Sequence, residues 1–109
     1  MAEPRLAAGV WIGALLRRVS AAGDFATVLH KGDAVAGSIV IIHRDRAGLT
    51  RALQRILGEK GEYRWRTAAT GESVDEWVQR QRRYDPDLWI IELDTADAAR
   101  FVDEWIAPG

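Results

Sequence analysis

Two arginines and two carboxylates converge on one proline corner, Arg82-Arg83-Tyr84-Asp85-Pro86-Asp87. Paired aspartates at such a corner could share acid–base work, or hold a hard cation together with Glu92 or Asp94 a few residues on. The plainer chemistry is local: aspartates in turns accept hydrogen bonds from nearby backbone N–H groups, and the arginines neutralise them. Turn aspartates are common and no spacing fixes a third ligand, so the local role is the stronger reading. Glu92 alternates onto the same strand face as Leu88 and Ile90, and a carboxylate on so apolar a strand needs a cationic partner. Arg17 and Arg18, at the end of the first apolar stretch, could supply it. The candidate polar site is therefore Arg17, Arg18, Asp85, Asp87 and Glu92, on the condition that the two arginines reach the corner.

Other chemistries are poorly represented. His30 and His43 are the only histidines. They lie near the ends of successive predicted strands and could approach across a hairpin, but no H-x-x-x-H or H-E-x-x-H spacing accompanies them. None of Ser20, Ser38 and Ser73 lies in G-x-S-x-G, and no glycine-rich phosphate loop is present. The chain has no cysteine, which removes thiolate zinc sites, iron–sulfur clusters and a cysteine nucleophile. No cofactor or metal is expected. Tyr63-Arg64-Trp65-Arg66 interleaves aromatics with arginines inside a basic stretch from Arg51 to Arg66, which is the best argument for nucleic acid. Strand alternation weakens it: aromatics and arginines point to opposite faces, so bases could not stack where phosphates are held.

The elements that must position these groups follow from periodicity and turn chemistry. Ile12, Leu15, Leu16 and Val19 stand at helical spacing and predict a helix from about Pro4 to Ala22, with Gly23 suited to its C-terminal cap. Phe25 to Lys31 reads as a strand, followed by turn residues Lys31-Gly32-Asp33. Gly37 to Arg44 is a second strand, and Ile39-Val40-Ile41-Ile42, apolar on both faces, places it centrally in a sheet. Leu49 to Leu57 fits either a helix or a strand. Glu62 to Ala68 alternates cleanly, with Tyr63, Trp65 and Thr67 on one face. Ser73-Val74-Asp75-Glu76 matches a capping box and opens a helix that Pro86 ends by disfavouring helical geometry at Asp85. Leu88 to Leu93 is the fifth strand, and Ala98, Phe101, Val102 and Trp105 predict a last helix over about Ala96 to Ile106. Strands joined by short turns are expected to pair antiparallel.

With 109 residues, 48% apolar and 28% charged, the chain suits one domain, 1–109, with an ordinary globular core. Residues 43–66 carry seven basic and three acidic side chains, whereas residues 84–109 carry one and seven; opposed charged faces could steer a partner or pair head to tail. Thirteen of the fifteen basic residues are arginine, a bias that genome composition explains as readily as binding. The run Leu6 to Leu16 is far short of the ~20 residues that span a bilayer. Arg17-Arg18 follow it directly, against a signal peptide, so a cytoplasmic protein without membrane attachment is expected. Five tryptophans (Trp11, Trp65, Trp77, Trp89 and Trp105) are many for this length. They suggest an aromatic core with some rings left for an interface.

Three segments together resemble a known family. They are Trp11-Ile12-Gly13-Ala14-Leu15-Leu16-Arg17-Arg18, then Phe25 to Leu29 leading to Lys31-Gly32-Asp33 and Ala36-Gly37, and finally Arg83-Tyr84-Asp85-Pro86-Asp87-Leu88-Trp89-Ile90-Ile91-Glu92. Their order and spacing resemble the small alphaproteobacterial proteins grouped as domain of unknown function fourteen ninety-one. The resemblance covers nearly the whole chain, with Asp85-Pro86-Asp87-Leu88-Trp89 its most specific part and Arg44 to Thr70 divergent. It implies a compact sandwich of helices around a sheet and a bacterial cytoplasmic setting, and it favours a strand for Leu49 to Leu57. It implies no reaction, cofactor or catalytic residue. The expectation is an α+β domain of order α-β-β-β-β-α-β-α with a mostly antiparallel sheet. Its foremost reading is a structural or interaction module that self-associates or meets a protein partner. A small ligand-binding domain or enzyme using Arg17, Arg18, Asp85, Asp87 and Glu92 comes second, and nucleic-acid binding through Arg51 to Arg66 third.

Overall fold

In the computed structural model, residues 7–57, 59–61, 63–96, 101 and 105–106 are described. The elements are α1 (Ala8–Ala21), β1 (Phe25–His30), β2 (Ile39–Arg44), β3 (Thr50–Leu57), β4 (Tyr63–Thr70), α2 (Ser73–Tyr84), β5 (Trp89–Asp94) and the two-residue β6 (Trp105–Ile106). The expected α+β order holds from α1 through β5, and Leu49 to Leu57 resolves as a strand beginning at Thr50. Most of the expected last helix, residues 97–100 and 102–104, lies outside the described residues. At its far end Trp105 and Ile106 are not helical: they pair in parallel with Trp65 and Arg66. The outer edge of β4 offers a row of backbone donors and acceptors there, which an extended segment satisfies and a helix does not.

The sheet order is β1-β5-β2-β3-β4-β6. β1 does not form the expected hairpin with β2. β5 lies between them, antiparallel to β1 and parallel to β2. The reason is burial. Ile39 to His43 of β2 and Trp89 to Ile91 of β5 are buried on both faces, and strands apolar on both faces belong in the interior of a sheet. β1 is largely exposed and takes the edge. β2 to β3 and β3 to β4 are antiparallel.

A helix covers each face. On one, Ile12, Leu15 and Val19 of α1 pack on Ile41, Leu53 and Ile91. On the other, Val74 and Val78 of α2 pack on Val40, Ile42 and Ile90. Each fully buried aliphatic side chain here contributes roughly 1.5–3 kcal/mol. Trp11, Trp65, Trp77 and Trp89 serve this packing rather than an outer surface. Trp11 stacks on Trp65 with ring centroids 5.5 Å apart, the Arg55 guanidinium lies over Trp11, Trp89 is buried and Trp77 is half-buried against the α2 side.

The helix ends follow local chemistry, with one departure. α1 stops in a Schellman motif: Gly23 takes φ 81°, its N–H bonds to Ser20 O, and Asp24 N–H bonds to Val19 O. At α2 the expected capping box does not form. Ser73 is already helical, its hydroxyl donates to Thr70 O at 2.8 Å, and Glu76 pairs with Arg80 one turn on. Gly71, at φ 59°, turns the chain so that the helix starts one residue early. Ser73→Ala is therefore expected to cost less than about 0.5 kcal/mol, against about 1 kcal/mol for loss of a true N-cap; urea unfolding of the variant checks this. No described helix is long and apolar enough to cross a membrane.

Candidate functional site

The proline corner is held by the loop before β2, not by α1. Asp85 ends α2 in extended geometry, as the residue before Pro86 must, and its carboxylate accepts the Asp87 N–H at 3.1 Å. Asp87 O accepts the Asp33 N–H. The Trp89 indole N–H donates to Asp33 O at 2.7 Å, and the Trp89 backbone N–H to Ser38 O at 2.8 Å. The Asp33 carboxylate in turn takes the Val35 and Ala36 N–H groups. The loop from Lys31 to Ser38 is thereby clamped across the start of β5. Gly32 and Gly37 allow it: a Cβ on either would run into Asp87 O and the Trp89 ring.

Of the five candidate residues, Asp85 and Asp87 share the corner, and the structure shows no contact of Arg17, Arg18 or Glu92 with them. Arg18 reaches the opposite way, its guanidinium 6.0 Å from the Phe101 ring centre and 3.5 Å from Phe101 O. Arg17 is exposed. Glu92 lies on the α2 face of β5, with the sheet between it and α1. Its partner is Arg44 of the neighbouring β2, at 3.3 Å. Because Ile42 is opposite Glu92 and Arg44 is opposite Asp94, that ion pair is a diagonal cross-strand contact, and nothing in the order of the chain announces it. Among the described residues no three His, Asp or Glu side chains gather as metal ligands.

The histidines separate as well. His43 is fully buried. Its Nε2 lies 2.9 Å from Thr95 O and its Nδ1 3.0 Å from Arg51 Nη2. A carbonyl demands a proton and a guanidinium demands a lone pair, so the ring is the neutral Nε2–H tautomer. This histidine ties the end of β5 to β2 and β3. His30, half-buried on β1, has Nδ1 2.6 Å from Leu88 O, so Nδ1–H donates and Nε2 is left over.

The concavity that sequence reasoning missed lies beside His30. A pocket of about 170 Å³ is lined by Leu29, Ile42, Val78 and Ile90, with His30, Asp75, Gln79 and Arg82 as its polar groups. It adjoins a shallower recess of about 350 Å³ lined by His30, Gln79, Arg82, Arg83 and Pro86. Asp75, Gln79 and Arg82 stand at i, i+4 and i+7, one stripe of α2. That spacing was visible in the sequence. The strand facing it was not, because only the insertion of β5 places β1 there. Arg82 and Arg83 make no ion pair among the described residues.

Comparison with known proteins gives one family. The profile described as Protein of unknown function (DUF1491) matches residues 6–103. The crystal structure of a DUF1491 family protein from Caulobacter crescentus is 32% identical, with a TM-score of 0.84 over 95% of this chain and 100% of that one. A solution structure of a protein from A. tumefaciens is 30% identical, with a TM-score of 0.82 over 97% and 98% of the two chains. No curated protein matches.

Proposed function

We propose, for a chain that belongs to the DUF1491 family of proteins of unknown function, that it acts as a cytoplasmic interaction module and self-associates through the outer edge of β1, which has no strand partner among the described residues. The observation that carries this is the character of that edge. From Phe25 to His30 no residue carries a formal charge with histidine neutral, yet Phe25 is 72% and Leu29 52% exposed. Edge strands normally carry lysine, proline or inward charges that deter pairing. Among the described residues the one blunting device is the register shift between Val28 and His30, which leaves Phe25 to Val28 in regular pairing with β5.

A second copy suits this edge. Two β1 strands meeting antiparallel across a two-fold axis would extend the sheet through both molecules, and would bring the Lys31 end of each toward the Asp24 end of the other. The nucleic-acid reading has less support: Arg66 is held by Gln54, Arg55 lies over Trp11 and Arg51 donates to His43.

Light scattering across a hundredfold concentration range tests the proposal. The chain is expected to run as a dimer at high concentration, and Thr27→Lys, which charges an exposed position of the edge, to yield a folded monomer. A wild-type monomer mass throughout, or a dimer indifferent to Thr27→Lys, would overturn it.

A further inference from the structure

We infer that the groove between α2 and the β1–β5–β2 part of the sheet binds a small organic carboxylate whose apolar part is about the size of a benzene ring. The inference stands apart from self-association: it rests on α2 and the sheet floor, and shares Leu29 and His30 of β1 with that reading. The floor is apolar and buried: Ile42, Val78 and Ile90 are each 7% exposed or less. The pocket measures about 170 Å³, and an apolar cavity of about 150 Å³ suffices for benzene. This inner part can take a phenyl ring or a branched aliphatic chain and little more.

The mouth selects the head group. His30, Arg82 and Arg83 surround the outer recess, and neither arginine has an ion pair among the described residues. An arginine fork matches a carboxylate through two parallel N–H donors, which gives orientation as well as attraction. With its Nδ1–H tied to Leu88 O, His30 presents Nε2 as an acceptor, which suits a ligand hydroxyl and leaves the carboxylate to the arginines. Gln79, which lines both parts, adds an amide that can donate to the second carboxylate oxygen or accept from a hydroxyl. Asp75 is the one acidic group lining the pocket among the described residues. It lies seven residues before Arg82 on α2, roughly 10 Å along the axis, so a carboxylate held by Arg82 stays clear of it. A cation would have to choose Asp75 against two arginines.

Phenylacetate is the probe, followed by amide and methyl NMR shifts of the full chain. Saturable shifts at Ile42, Val78, Ile90 and His30 are expected. Benzyl alcohol, which lacks the charge, and acetate, which lacks the ring, are each expected to bind about tenfold more weakly or worse, a loss of 1.4 kcal/mol per tenfold. Arg82→Gln is expected to weaken phenylacetate about tenfold while leaving the melting temperature in place, because Arg82 is exposed; Arg82→Lys is expected to recover part of the loss. Arg80→Gln, outside the pocket, is the control. No saturable shift, equal binding of benzylammonium, or indifference to Arg82→Gln would overturn the inference. These shifts read α2 and the sheet floor, so a chain that fails to dimerise still reports on the groove.

Discussion

Gly32→Ala is expected to destabilise the fold by about 3 kcal/mol, one of the largest effects of any single methyl in this chain. The methyl would point at backbone, Asp87 O and Leu88 C, and at the Trp89 ring. Neither partner can give way cheaply. Asp87 O holds the Asp33 N–H, and the Trp89 indole is pinned to Asp33 O, so any retreat breaks the clamp between the loop and the start of β5. Gly37→Ala meets the same corner, at 2.6 Å from Asp87 O and 2.8 Å from the Trp89 ring, and is expected to behave alike. Gly48→Ala is the informative contrast. Its φ of +86° strains a side chain, but nothing lies within 4 Å of the added methyl, so the cost is expected near 1 kcal/mol. For a domain of this size 3 kcal/mol moves the melting temperature by roughly 12 °C or more. Similar midpoints for Gly32→Ala and Gly48→Ala would show that close approach is not what these glycines provide.

His43→Ala is the second large effect, again about 3 kcal/mol, as the sum of a cavity and broken polar pairing. The imidazole is fully buried and bridges two elements. Its removal takes an acceptor from Arg51 and a donor from Thr95 O, each beside the core. Those losses should be coupled. In a double-mutant cycle with Arg51→Met, removing both side chains is expected to cost about 1 kcal/mol less than the two single effects added together. Strict additivity would mean that His43 matters only for the volume it fills.

The readable parts of this molecule were those set by neighbours in the chain. Gly23 as the stop of α1, the interior position of Ile39 to Ile42 and the inward face of Trp65 all follow from local spacing, and all appear in the structure. Pro86 as the end of α2 belongs with them. Ser73 shows where even local chemistry divides: the box of residues was present, but the turn at Gly71 shifted the helix start by one position and the hydroxyl found Thr70 O instead. The candidate site was beyond reach for a different reason. Whether Arg17 or Arg18 meets Asp85 depends on which strand lies between which, and no periodicity encodes that. Once β5 enters between β1 and β2, Glu92 gains Arg44 and His30 gains the α2 stripe, while α1 is left on the far side of the sheet. Trp89 followed the same logic: its indole N–H found Asp33 O, so it became a core anchor of the corner and not a spare ring for an interface.

The insertion of β5 also sets an order of events during synthesis. β2, β3 and β4 are consecutive and can pair as they leave the ribosome, since their contacts are local. β1, made before them, waits for Trp89 to Asp94, because among the described residues it pairs with β5 alone. Until then both β1 and the inner edge of β2 are open, and a chain halted before residue 89 presents two apolar templates for misassembly. Non-local pairing of this kind slows folding, because the loop must be closed before its contacts reward it. β5 is thus the keystone of the sheet: β1 joins the other strands only through it.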